Sequence, residues 1–350
     1  MGMQRPQSSS SLNSFRQTME ASAHVRADYV EPTDLPNRLT TSDSSLLGVV
    51  SFGTALPYSL PCPMIELALP QLDGPRLCEI WTSDQPVRHY REGAFSAAVS
   101  GDVVFASISV PELPDSGLNQ ITQAAYRHLL QQLRELGFPY LWRIWNFFPR
   151  MNDEQDGLER YRQFCIGRHH ALAGSLADFP GSLPAGTAVG TASGPLQIYL
   201  LAGVHPATHL GNPRQLDAYD YPKTYGPCSP SFARATLQRS EGHTQLFIAG
   251  TSSVVGHESQ HPELPDRQSR ETVENIRALI DHAERTAMTD VGNLHRQSSY
   301  KVYVRNPGHL NSIRQALHDP LLTSSPLLFL QGDLCRKELL VEIEGLITTN

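Results

Sequence analysis

The chain runs through one strand–helix–strand order twice, and that repetition limits the folds open to it. Gly101-Asp102-Val103-Val104-Phe105-Ala106-Ser107-Ile108 is a β-rich run behind a turn. Ile121, Ala125, Leu129, Leu130, Leu133 and Leu136 follow at helical spacing, and Gly137 stands where such a helix would close. A second β-rich run, Tyr140-Leu141-Trp142-Arg143-Ile144-Trp145-Asn146-Phe147-Phe148, comes next. The same order returns in Gly242-His243-Thr244-Gln245-Leu246-Phe247-Ile248-Ala249-Gly250, in a helical pattern through Val273, Ile276, Leu279 and Ile280, and in Tyr300-Lys301-Val302-Tyr303-Val304. The two Gly-led strands lie 141 residues apart, far beyond a solenoid period and close to one domain length. Duplication of an α/β domain is the simplest account.

Residues 1–44 mix Ser, Gln, Pro and charges without a period, which predicts a flexible tail followed by an extended arm. The folded part then begins at the apolar run Leu46-Leu47-Gly48-Val49-Val50-Ser51-Phe52. An N-terminal domain over 45–172, a Gly-rich connection over 173–194 with room for a short strand, and a C-terminal domain over 195–350 complete the expected organisation. Inside the second domain, 206–234 is a long connection without a period of its own. Such segments are functional or disordered, and its tyrosines argue against disorder.

Composition narrows the partners. The net charge is −7 and no Lys/Arg block occurs, so a nucleic-acid partner is disfavoured, whereas a small anion held by one or two local arginines is not. Five scattered cysteines without a C-x-x-C argue against a disulfide framework and a zinc site. No signal-like apolar segment and no run of eighteen apolar residues is present, so the expectation is a cytoplasmic protein with no membrane span.

Several residues could carry chemistry. At strand spacing Glu342 and Glu344 share one face of Val341-Glu342-Ile343-Glu344-Gly345, and a covered Glu342 would be a proton donor near neutral pH. The bland alternative is a solvated sheet face. Arg234, in Ser231-Phe232-Ala233-Arg234-Ala235-Thr236, suits bidentate carboxylate recognition with Tyr225 nearby, or is an ordinary surface arginine. Gly250-Thr251-Ser252-Ser253 offers amides and hydroxyls to an anion, although most such segments are only turns. Arg143 and Arg162 are further anion-binding candidates, or partners in internal ion pairs. His257 and His261 are four apart, but Gly256 and Pro262 break helical continuity and favour a loop.

Three of these stretches together resemble the chorismatases: Tyr225-Gly226-Pro227 through Thr236, Phe247 through Glu258, and the terminal Val341-Glu342-Ile343-Glu344-Gly345. Arg143-Ile144-Trp145-Asn146 and the Arg162 segment extend the resemblance over nearly the whole chain after the tail. The resemblance implies two fused YjgF/RidA-like (chorismate-mutase-like) domains, an α+β fold of mixed sheets with helices on one face. It implies that chorismate is converted to pyruvate and 3-hydroxybenzoate, 4-hydroxybenzoate or both, as in xanthomonadin-pathway enzymes. Glu342 would protonate the enolpyruvyl methylene, and Arg234, Tyr225, Arg143, Arg162, Gly250 and Thr251 would surround the substrate. Cys335, seven residues before Glu342, matches the benzoate-forming branch. No metal or organic cofactor is implied, and the expected state is a monomer with a pseudo-trimer-like core. In small RidA proteins a carboxylate-binding Arg precedes the Glu-Ile-Glu by fifteen residues, where this chain has Leu327. That departure disfavours the RidA-type imine hydrolase alternative; a non-catalytic small-carboxylate-binding regulator is the other.

Overall fold

A computed structural model describes residues 22–36, 45–112, 116–240, 242–287, 297–323 and 325–349. Of the expected tail and arm, 1–21 and 37–44 lie outside the described residues, while part of the arm is a strand. That strand, β1 (Val25–Val30), joins β2 (Leu46–Phe52), β3 (Met64–Leu67) and β4 (Cys78–Ser83) in a four-stranded sheet of order β1-β4-β2-β3. The run of β-rich residues from Leu46 forms β2 as expected, and every residue of it is buried.

The first of two six-stranded sheets contains β5 (Arg88–Glu92), β6 (Phe95–Ser100), β7 (Val103–Val110), β8 (Tyr140–Pro149), β11 (Ala185–Thr191) and β12 (Leu196–Gly203), in the order β11-β8-β12-β7-β6-β5. Helix α1 (Leu118–Leu136) connects β7 to β8, and a small hairpin of β9 (Glu154–Gln155) and β10 (Leu158–Glu159) leads into helix α2 (Arg160–Ala173). Gly137 ends α1 at φ 89°, and its amide reaches the carbonyls of Leu133 and Arg134. The connection expected over 173–194 holds β11, and β12, beyond the expected boundary at 195, pairs with β7 and β8. The first sheet therefore runs on to Gly203.

The second six-stranded sheet contains β13 (Thr208–Leu210), β14 (Ala235–Ser240), β15 (His243–Ser252), β18 (Gln297–Val304), β19 (Leu327–Gln331) and β20 (Val341–Thr349), ordered β13-β14-β15-β20-β18-β19. The short pair β16 (Val254–Val255) and β17 (Glu258–Ser259) precedes helix α3 (Pro265–Ala287), and helix α4 (Leu310–Ala316) lies between β18 and β19. Read from its β19 edge, this sheet repeats the first strand for strand, including the parallel β18–β19 pair that matches β8–β11. The four-stranded sheet continues the pattern. Its β3, β2, β4 and β1 correspond to β11, β8, β12 and β7, with the same one parallel and two antiparallel pairings. The chain thus holds two full copies and one abbreviated copy of a single strand order.

The three sheets meet face to face. Val50 and Trp81 from the first, Phe105, Trp145 and Tyr199 from the second, and Phe247 and Tyr303 from the third belong to one buried cluster. The outer faces of the larger sheets pack against helices, Ile121, Leu129 and Leu133 of α1 on one and Ile276, Leu279 and Ile280 of α3 on the other. Strands enclosed on both faces lose the simple alternation of polar and apolar residues. Val341 and Ile343 of β20 face the helix layer, which turns Glu342 and Glu344 inward to the junction of the sheets.

Candidate active site

A cavity of about 690 Å³ is walled by residues from both halves of the chain. Asn152 comes from the turn after β8, and Leu158, Tyr161 and Arg162 from the β9–β10 hairpin and α2. Gln215, Tyr221, Tyr225, Phe232 and Arg234 come from the long connection, and Cys335, Arg336 and Lys337 from the loop before β20. Glu342 and Gly250 line it as well.

Glu342 is 4% exposed, and among the described residues its hydrogen-bond partner is the Ser252 hydroxyl, which donates across 3.3 Å. Burial, with the negative charge of Glu344 two positions along, pushes its carboxyl up to about 8 against the weaker opposing pull of Ser252, Arg143 and Arg305. It is therefore a carboxylic acid at neutral pH. Gly250 makes room for it: a Cβ there would lie 2.2 Å from Glu342 Oε1. The β15–β20 register shifts between Ile248 and Thr251, so a bulge sets this glycine beneath the acid.

Glu344 has the opposite environment. Its carboxylate is 2.8 Å from Arg143 Nη2 and 2.8 Å from Lys301 Nζ, and it accepts hydrogen bonds from Trp145 Nε1 and Tyr303 OH. Burial alone would raise its carboxyl, but Lys301 and Arg143 outweigh that and hold it below the usual carboxylate range. Lys301 also reaches Glu79 Oε2 of β4 at 2.9 Å and the Tyr199 hydroxyl at 3.3 Å. Glu79, Tyr199 and Glu344 occupy matching strands of the three sheets, so Lys301 sits where all three copies of the strand order converge.

Arg143 is consequently not a wall of the cavity. It is 1% exposed, bonded to Glu344, to Thr187 Oγ1 and to the Ile144 carbonyl, which makes it the internal ion-pair partner that sequence allowed as its alternative. Thr251 also lies outside the walls, its hydroxyl given to the Ala249 carbonyl at 2.9 Å. Nor is Gly250-Thr251-Ser252-Ser253 an open anion cradle. The Gly250 amide donates to Thr187 Oγ1, and the Ser253 hydroxyl to the Gln260 carbonyl.

Arg234, Tyr225, Arg162, Gly250, Cys335 and Glu342 do come together at the cavity. Arg234 is 5% exposed, with Nη2 donating to the Leu216 carbonyl and the Tyr221 hydroxyl, its guanidinium near the rings of Phe232 and Tyr221, and Nε without a partner among the described residues. Arg162 pairs loosely with Glu159 at 3.5 Å, and its stem packs against Gly226, whose φ of 147° suits glycine alone. The Tyr225 hydroxyl lies 3.2 Å from His257 Nδ1, and His261 pairs with Glu271. Burial pushes the Cys335 thiol up to about 12, which keeps it neutral.

Three contributors had no clear sequence signal. Arg336 stacks over Tyr225 at 4.0 Å, and Arg234, Arg336 and Lys337 have no carboxylate at ion-pair distance among the described residues. Gln215 is 8% exposed. Its Nε2 donates to the Val254 carbonyl, leaving Oε1 as a buried acceptor with no donor among the described residues. Arg305 ties down the loop before β20 through the carbonyls of Leu334, Arg336 and Leu339 and the side chains of Asn152 and Asp333.

A buried un-ionised acid beside unpaired cations is the equipment of an enzyme that protonates an anionic substrate. Comparison with known proteins agrees. Residues 79–202 match the family model described as chorismatase FkbO/Hyg5-like, N-terminal. The chain is 33% identical to a 3-hydroxybenzoate synthase of Streptomyces hygroscopicus, over 87% of this chain and 92% of that one. It is 31% identical to a chorismatase of Streptomyces rapamycinicus, over 87% and 93%. A chorismatase crystal structure superposes with a TM-score of 0.83 at 29% identity, covering 94% of this chain and all of the other. The chain belongs to the chorismatase family.

Proposed function

We propose that this chain converts chorismate to pyruvate and a hydroxybenzoate, with Glu342 as the proton donor. The observation that carries the reading is a carboxyl held neutral up to about pH 8 on the wall of a cavity where Arg234, Arg336 and Lys337 have no carboxylate at ion-pair distance among the described residues. The names of its relatives, 3-hydroxybenzoate synthase and chorismatase, support the same substrate.

The chemistry follows from the substrate's enol ether. The C=C electron pair takes the proton of Glu342 at the methylene carbon, forming a methyl group and an oxocarbenium ion at the ether carbon. Release of pyruvate and loss of a ring proton, which restores the acid, leave an aromatic ring. The atoms of the substrate divide between the two products, so any water that enters leaves again. Arg234 holds one substrate carboxylate and Arg336, with Arg162, the other, each through charge-assisted N–H donors. Chorismate with both carboxylates ionised retains one hydrogen-bond donor, its ring hydroxyl, and Gln215 Oε1 is the buried acceptor waiting for one. Cys335 adds a neutral wall beside the acid.

The residues supply proton, charge and shape, and the reading calls for no cofactor. The chain is proposed to act as a cytoplasmic monomer; sedimentation at several concentrations tests the state. Incubation of the purified protein with chorismate, with pyruvate and the aromatic product both measured, tests the function. Pyruvate release at least a thousandfold above Glu342→Gln is expected, on the order of the loss when an essential acid is removed, and release no greater than that of the variant would sink the reading.

A further inference from the structure

Glu342 and Glu344 project from the same face of one strand, yet their surroundings differ in kind. Two cations, two anions and a set of neutral donors meet behind the cavity. Arg143 comes from β8, Lys301 from β18, Glu344 from β20 and Glu79 from β4, and the pairs Arg143–Glu344, Lys301–Glu344 and Lys301–Glu79 span 2.8, 2.8 and 2.9 Å. Their charges cancel. The remaining titratable groups facing this cluster are Tyr29 of β1, Tyr199 of β12 and Tyr303 of β18, all raised by burial and therefore neutral. Around Glu342 itself stand Glu344, Arg143, Arg305 and Cys335; Arg305 is engaged by Asp333, and the Cys335 thiol is protonated. A third buried carboxylate would find neither Arg143 nor Lys301 of this cluster free to neutralise it.

Resting on the reading of Glu342 as the acid, we infer that Glu344 is a positioning residue for proton delivery: its charge, fixed by Arg143 and Lys301, holds the neighbouring carboxyl in the proton-bearing form. The cations would otherwise act on Glu342 directly. With Glu344 on both of them, Glu342 meets a negative neighbour and the hydroxyl of Ser252, and it keeps its proton until a substrate carbon takes it. The division is one strand carrying two carboxylates of opposite duty, a fixed anion and a held acid.

The test is the pH profile of kcat/KM for pyruvate release, compared between wild type and Glu344→Gln. Removing the negative charge while Arg143 and Lys301 remain should favour ionisation of Glu342. The alkaline limb should move to lower pH by about one unit or more, a roughly tenfold loss at mildly alkaline pH, with activity largely kept on the acid side. Tyr303→Phe removes a hydrogen bond to Glu344 without altering charge and should leave the limb in place. A limb that stays put in Glu344→Gln, or moves upward, overturns the inference. If Glu344→Gln does not fold, infrared spectra of wild type and Glu342→Gln at about pH 6 decide it, because Glu342 should be the one protonated carboxyl of the buried pair. A second such signal surviving in Glu342→Gln would mean that Glu344 also holds a proton, which overturns the inference. Absence of pyruvate from the wild type would instead count against the reading of function, so the two failures are separable.

Discussion

The titration of Glu342 couples the active site to folding. Its folded carboxyl titrates at about 8, pushed up by burial and by Glu344, whereas an unfolded chain would release that proton near the ordinary glutamate value of 4.5. The folded state therefore binds more protons between those values, so stability falls as pH rises through the window and levels off above the folded value. Glu342→Gln should not show that fall. On raising the pH from about 6 to about 9, the denaturant midpoint of the wild type should drop relative to the variant, by a few kcal/mol at most; parallel curves would show that Glu342 is ionised throughout. Gln215 makes a second expectation at this scale. Gln215→Met keeps the bulk and removes the acceptor, so it should erode the preference for chorismate over an analogue without the ring hydroxyl by about 10- to 100-fold, the cost of one lost buried hydrogen bond. The check is the ratio of kcat/KM values for the two compounds, and an unchanged ratio would mean that the hydroxyl lies elsewhere. Sequence exposed Glu342 through strand spacing and left its covering open, because burial depends on a sheet from the other half of the chain. Gln215 was silent for a related reason: its backbone bridges Gly256, and its Nε2 is spent on Val254, 39 residues along the chain and invisible to any local pattern.

At the scale of elements, the repeated strand order and the helices with apolar residues three and four apart were legible because local periodicity decides them. Domain limits were less so. β12 reads as the start of a new unit after the Gly-rich stretch, yet its pairing with β7 and β8 is fixed by partners nearly a hundred and about fifty residues earlier. The loop from Asp333 to Leu340 carries Cys335 and Arg336 into the cavity, and Arg305 organises it from outside with four side-chain hydrogen bonds, a fifth reaching Asn152. Arg305→Met keeps the apolar stem and removes every one of those donors. The loop should then loosen, raising KM for chorismate by about tenfold through a mispositioned Arg336 while the fold persists. Hydrogen exchange over 333–340 measured alongside KM checks this, and protection equal to the wild type would leave Arg305 without that role.

For the whole molecule, the decisive contact is Lys301 between Glu79 and Glu344. Each carboxylate comes from a different sheet, so one ammonium group fastens the abbreviated copy to a full one. Lys301→Met would leave Glu79 without a cation in a buried site, and breaking such a pair costs on the order of 3–5 kcal/mol. Chemical denaturation should register that loss; a change below about 1 kcal/mol would mean that the surrounding tyrosines and water solvate Glu79 unaided. The cavity draws its hairpin and α2 walls from one half of the chain, and its acid, its long connection and its Cys335 loop from the other. Both halves are links of one covalent thread, so their meeting is an intramolecular event with an effective concentration that no dilution lowers. Each folded chain thus brings these walls together on its own thread.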